Sequence, residues 1–177
     1  MTLAPESKAQ RLRRPERLAR LECPRVLAAL APLPPRVLDI GTGSGVFAEQ
    51  FLAAGAREVS GMDLDAELID AARQWVPGAA FSVAGAEHLP FTDGSFGLAF
   101  MGLVLHESPD PLAALREARR VAERLAVLEW AYRQEEGGPP LERRFPPERL
   151  LNLAQAAGWG RGRVEALTEF SLYLFPA

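Results

Sequence analysis

Glycines alternate at Gly41, Gly43 and Gly45, with one carboxylate before them, Asp39, and another after them, Asp63. Glycine accepts positive φ and carries no Cβ, so the backbone of such a turn can come close to a ligand. Where the turn opens a helix, free N–H groups add to the binding surface. This is the chemistry of a cofactor loop. A dinucleotide loop follows Gly-x-Gly-x-x-Gly. Read from Gly41, its third glycine falls on Val46; read from Gly43, it falls on Ala48. A carboxylate at Asp39 sits badly beside a pyrophosphate and suits a cofactor with a cationic end.

The surrounding pattern supplies the elements that must hold this loop. Val37, Leu38 and Ile40 read as a short buried strand over 36–40, and Phe47, Phe51 and Leu52 as a helix over 45–54 that Gly55 ends. A strand at 58–62 terminates at Asp63. A helix over 65–75 follows, with Asp65 as N-cap. Short apolar runs predict strands at 81–83, 96–101 and 125–129. Asp110-Pro111 opens a helix, and 148–157 forms another. Strand–helix alternation means a parallel sheet with helices on both faces. The runs 162–167 and 170–175 have hairpin spacing, so one antiparallel strand is expected at the sheet edge. Ligands on such sheets lie at the carboxyl ends of the strands. Gly41–Gly45, Asp63, 85–88 and 101–106 all fall at such ends.

Ahead of the sheet, Pro15 and Pro24 each stand near the first position of a short helix. Residues 1–13 are polar and aperiodic and read as a disordered tail, leaving 14–177 as one domain. Arg11, Arg13, Arg14, Arg17 and Arg20 read either as a solvated face or as an anion patch. At 177 residues, 48% hydrophobic and 24% charged, the composition is that of a soluble globular protein. A net charge of −3 gives no argument for a nucleic-acid or membrane-surface partner. Cys23 alone permits no internal disulfide, and two histidines give no metal ligand set. No signal-like segment is evident, so a cytoplasmic location is expected. The oligomeric state is left open.

Asp39-Ile40-Gly41-Thr42-Gly43-Ser44-Gly45 resembles motif I of the class I S-adenosylmethionine-dependent methyltransferases. Further segments agree in order and spacing. Asp63-Leu64-Asp65 is similar to the acidic ribose-binding position. The run from Ala86 to Phe96 resembles the adenine-side loop. The run from Val104 to Pro111, continued by Arg116 to Val121, is similar to the ubiquinone/menaquinone C-methyltransferase-like branch. Gly138-Pro139-Pro140 resembles a segment of small bacterial members. The resemblance spans about 24–177 and implies a Rossmann-like, mostly parallel seven-stranded sheet. Two departures stand out. Gly85 occupies a position where the family often has an aspartate. Ala122-Glu123-Arg124 replaces a Lys-Pro-Gly-Gly turn.

The resemblance implies S-adenosylmethionine as cofactor and a small-molecule methyl acceptor. It assigns the methionine end to Asp39, Gly41, Thr42, Gly43 and Gly45, and the ribose to Asp63 and Leu64. Gly85, Ala86 and Glu87 serve the adenine, with His88 either at its edge or in solvent. Met101 is expected in the pocket wall, with a core role as the alternative. His106 follows the strand where the acceptor would approach. It is the candidate catalytic base, oriented by Glu107, or else a residue that caps a loop or binds substrate by shape. Glu129, Trp130, Tyr132 and Phe145 are further candidates for the acceptor side, the aromatics equally readable as core. Trp159 is expected to pack. A non-catalytic S-adenosylmethionine-binding module and an NAD-dependent oxidoreductase are the competing readings.

Overall fold

The run Arg36–Ile40 forms β1, and every residue after Arg36 is buried. In the computed structural model, which describes residues 5–176, this strand lies between β2 (Glu58–Asp63) and β4 (Phe96–Gly102), parallel to both. β3 (Ala80–Val83) pairs with β2, and β5 (Ala122–Trp130) with β4, also in parallel. β7 (Phe170–Phe175) runs antiparallel to β5, and β6 (Arg163–Ala166) antiparallel to β7. The seven-stranded order is β3-β2-β1-β4-β5-β7-β6. The expected antiparallel strand is β7, but it is not the edge. β7 lies between β5 and β6 because its apolar residues Leu172, Tyr173 and Leu174 need cover on both faces, whereas β6 is largely exposed.

Successive side chains of each central strand enter opposite cores. Val37, Leu98 and Phe100 face α3 (Cys23–Leu30), α4 (Val46–Ala53) and α5 (Ala66–Trp75). Leu38, Ile40, Ala99 and Met101 face α6 (Pro111–Val121) and α7 (Pro147–Ala156). Trp159 belongs to the second core, where its Nε1 donates to the Leu115 carbonyl at 3.0 Å. Strand order reverses between β1 and β4, so a crevice opens at their carboxyl ends. No helix among the described residues is long and apolar enough to cross a membrane.

Helix α6 runs straight into β5: Ala122 is both its C-cap and the first strand residue. This is how the short Ala122-Glu123-Arg124 stands in for a longer turn. The arginine near the end of α6 secures the opposite loop. Arg120 donates to the carbonyls of Leu89 (2.9 Å) and Phe91 (2.6 Å) and pairs with Glu117, which accepts from the Leu89 N–H at 2.8 Å.

The expected disordered tail is corrected by the structure in part. Residues 1–4 lie outside the described residues, but Lys8–Leu12 forms helix α1. Ser7 and Gln10 close a reciprocal capping box on it, and Ala9 is buried. α2 (Pro15–Arg20) follows, with Pro15 in its first turn. Arg13 binds these helices to the cofactor loop. Its guanidinium donates to the Ser44 carbonyl at 3.0 Å, pairs with Glu49 at 2.7 Å and stacks on Trp75.

Candidate active site

The turn after β1 has φ of +73° at Gly41, +55° at Gly43 and +79° at Gly45. All three lie in the left-handed region, where a Cβ is strained. Hydrogen bonds lock the turn to β2: Thr42 N–H donates to the Met62 carbonyl at 2.8 Å. Asp63, at the end of β2, accepts from Gly43 N–H at 2.9 Å and from Asp65 N–H at 3.0 Å. Each oxygen of that carboxylate keeps lone-pair capacity for a further donor. Asp39 is 1% exposed and accepts from the Thr42 hydroxyl at 2.6 Å. Burial pushes its carboxyl up to about 7, and the negative charge of Asp63 adds to the rise.

These groups line one continuous crevice. Its inner part is bounded by Asp39, Gly41–Ser44, Phe47, Asp63 and Gly102. Its outer part is bounded by Leu64, Ala86, Glu87, Ser108 and Pro109. Lys8, Gly41, Asp63, Val104 and Glu107 line both. Leu64 is 71% exposed, an apolar side chain held out beside Asp63. The Ser44 hydroxyl is buried without a hydrogen-bond partner among the described residues and borders the inner part. Glu87 accepts from the Ser108 hydroxyl. An acidic, glycine-walled crevice with an unsatisfied buried hydroxyl fits a ligand with a cationic, polar end and a sugar.

Four sequence-predicted positions sit elsewhere than expected. Gly45 turns away from the crevice and packs on α5, where an added Cβ would meet Ala72 and Val76 at 3.2–3.3 Å. Met101 is fully buried in the core under β4, since strand alternation points it away from the crevice; Gly102 borders the crevice instead. Gly85 is folded against its neighbours, with a would-be Cβ 3.2 Å from the Glu87 carboxylate. His88 is exposed, one of the two placements expected for it.

His106, the fourth, differs most. Its side chain is 5% exposed, and Glu129, not Glu107, holds it. The imidazole Nδ1 lies 2.8 Å from Glu129 Oε2, and the same carboxylate accepts the His106 backbone N–H at 3.1 Å. Nε2 is 3.8 Å from Glu107, which does line the crevice.

Sequence reasoning missed the N-terminal wall. Lys8, Leu12, Arg17 and Leu21 all border the crevice, and Lys8 pairs with Asp65 at 2.9 Å. The signal was the Ser7-x-x-Gln10 capping box.

A family model described as a methyltransferase domain matches residues 38–128. Demethylmenaquinone methyltransferase of Chlorobaculum parvum is 32% identical over 87 residues, 49% of this chain and 36% of that protein. The protein of the same name from Thermotoga maritima is 31% identical over 116 residues, 63% of this chain and 48% of that protein. The chain thus spans half or less of the length of these curated relatives. Over nearly its whole length it resembles the crystal structure of a SAM-dependent methyltransferase from Aquifex aeolicus. The TM-score is 0.82 at 25% identity, covering 96% of this chain and 97% of that one. The matched span runs from the buried strand before the glycine turn to the strand carrying Glu129, and the chain belongs to the methyltransferase domain family, with S-adenosylmethionine as its cofactor.

Proposed function

We propose that this chain transfers the methyl group of S-adenosylmethionine to a small-molecule acceptor. The observation that carries the reading is the single crevice on which Asp39, the Gly41–Gly43 turn and Asp63 converge. Bound there, S-adenosylmethionine supplies a methyl group on a cationic sulfur. Asp63, already fixed by two backbone N–H groups, is preset to accept from vicinal hydroxyls. Leu64 offers an apolar face beside it, and Ala86 and Glu87, with the Gly85 backbone behind them, serve the base. Gly41, Thr42, Gly43 and the Ser44 hydroxyl hold the amino-acid end, with Asp39 as the buried counter-charge. Gly45 and Met101 act from behind, one fastening the turn to α5 and the other packing under β4.

Displacement at a methyl group needs no protein nucleophile, and orientation in a dry crevice supplies most of the acceleration. An acceptor atom that carries a proton must lose it. Glu107 is a carboxylate lining the crevice that lies within reach of His106, and the Glu129–His106 pair stands behind it as the group that takes the proton on.

The test is calorimetric titration with S-adenosylhomocysteine and NAD side by side, followed by S-adenosylhomocysteine formation across an acceptor panel. We expect micromolar affinity for S-adenosylhomocysteine, none for NAD, and turnover with at least one acceptor. Binding of NAD alone overturns the reading.

A further inference from the structure

Beside the crevice lies a second hollow, of about 440 Å³. Arg11, Arg14, Arg17 and Arg20 line it, with Glu16 the one carboxylate among its lining residues. Its floor is apolar: Trp130 and Phe170 meet edge to face, with ring centroids 5.0 Å apart. Arg17 and Leu21 line both this hollow and the inner crevice, so the two share a wall.

The four guanidinium groups are not equivalent. Arg14 is paired with Glu6, and Arg20 is held on Glu169 by two contacts of 2.7 and 2.8 Å. Arg11 donates to the Glu6 carbonyl at 2.8 Å. Arg17 has no hydrogen-bonding or ionic side-chain partner among the described residues. It is half-buried, and burial together with the nearby Arg20 charge pushes it below the ordinary arginine range. It stays charged all the same. A desolvated cation without a partner is unfavourable on its own, and a carboxylate or phosphate is the group whose geometry matches a guanidinium fork. The chain as a whole is acidic, at −3, so this cluster runs against its overall sign.

We propose that the hollow is the methyl-acceptor site and that it takes a small organic anion, a carboxylate or phosphate at Arg17 with an apolar body on the Trp130–Phe170 floor. The word acceptor rests on the methyltransferase reading above; the anion site does not. Because Arg17 stands in the shared wall, an anion held by it is placed next to the crevice that receives the methyl donor. Trp130 contributes an edge and not an open face. A Cβ on Gly138 would come within 2.7 Å of its ring, and the Arg144 guanidinium carbon lies 5.2 Å from its centroid. The site therefore favours a body lying along the floor over one stacked on the indole.

The experiment titrates 1-naphthoate, 1-naphthyl phosphate, neutral 1-naphthalenemethanol and inorganic phosphate into the wild type, Arg17→Gln and Arg17→Lys by calorimetry. We expect one or both naphthyl anions to bind the wild type at least tenfold tighter than the neutral alcohol. The tighter of the two identifies the anionic group. Arg17→Gln should abolish that preference and Arg17→Lys retain part of it. The preference should also shrink at least fivefold between 50 and 500 mM NaCl while the alcohol is unaffected; this wild-type series decides the matter if Arg17→Gln fails to fold. Equal binding of anion and alcohol, a preference that survives Arg17→Gln or high salt, or inorganic phosphate binding as tightly as the naphthyl anions overturns the proposal. Titration with S-adenosylhomocysteine separates the two readings. If it does not bind, the methyltransferase reading fails and the anion site stands on its own data. If it binds without any anion preference, the proposal fails alone.

Discussion

The Thr42 hydroxyl donates to Asp39 at 2.6 Å inside the floor of the crevice, where Asp39 is 1% exposed. That bond and one from the Ala48 backbone do not offset the cost of burying the charge, and the carboxyl titrates at about 7. The folded pKa is raised, so the contribution to stability is full below the unfolded value near 3.9 and is lost as pH rises through about 7. The ligand-free protein should lose about 1 kcal/mol of unfolding free energy between pH 6 and pH 8 from this group. Urea melts at the two pH values measure it, and Asp39→Asn should remove the difference. An identical difference in the variant assigns the pH dependence elsewhere.

Asp63 accepts from Gly43 and Asp65 before any ligand arrives. Asp63→Ala should weaken S-adenosylhomocysteine binding at least tenfold. It should also cost about 1–3 kcal/mol of stability, because two N–H groups lose their acceptor. Asp63→Asn keeps one carbonyl oxygen and should fall between. Calorimetry on both variants decides: wild-type affinity in Asp63→Ala removes this residue from the ribose site.

A Cβ on Gly41 would lie 2.5 Å from Val104, in a residue with φ of +73°. The turn and the segment after β4 touch there, so Gly41→Ala must push the two apart and widen the crevice. We expect at least tenfold weaker S-adenosylhomocysteine binding and a lower melting temperature. Gly160 has open space around it, so Gly160→Ala should change neither by a measurable amount. Matching behaviour of the two variants counts against the steric account.

Much of this was legible in the chain. Val37-Leu38-x-Ile40 before alternating glycines fixes a buried strand and its turn, and Asp65 and Asp110 mark helix starts that the structure has at those caps. What was not legible depended on the third dimension. Met101 and Gly102 are neighbours on a strand, and only the registered sheet decides which borders the crevice. Glu129 reaches His106 from the adjacent strand, whereas sequence proximity suggested Glu107. Helix α1 was obscured because it spans only five residues and its one buried side chain is Ala9, too little for a periodic signal, whereas Pro15 and Pro24 marked the two helices after it.

Lys8 sits on the rim of both parts of the crevice and pairs with Asp65 at 2.9 Å. The pair is half-exposed, so its loss should change stability by no more than about 1 kcal/mol. Its consequence lies in access. Lys8 is the chain's sole lysine, so acetylation by acetic anhydride reports on it cleanly in a tryptic mass map. Saturating S-adenosylhomocysteine should slow Lys8 acetylation severalfold, with the α-amino group as internal reference. Equal rates with and without ligand would place α1 outside the binding event.

The Glu129–His106 pair is the remaining choice between proton handling and scaffolding. Glu129 is 1% exposed and accepts from His106 N–H as well as contacting Nδ1. Removing the imidazole is a poor test, because an unpaired buried carboxylate destabilises by roughly 3–5 kcal/mol whatever the pair does in catalysis. Glu129→Gln is isosteric and keeps an oxygen for the backbone N–H. It takes away only the charge that fixes the Nδ1 proton and leaves Nε2 the basic nitrogen. If the pair withdraws a proton past Glu107, Glu129→Gln should lower kcat at least tenfold, leave S-adenosylhomocysteine affinity within twofold, and shift the pH–rate profile. A scaffolding role instead lowers the melting temperature, leaves the profile in place, and reduces kcat and affinity together. The pH profile, read with affinity unchanged, is therefore the measurement that separates the two.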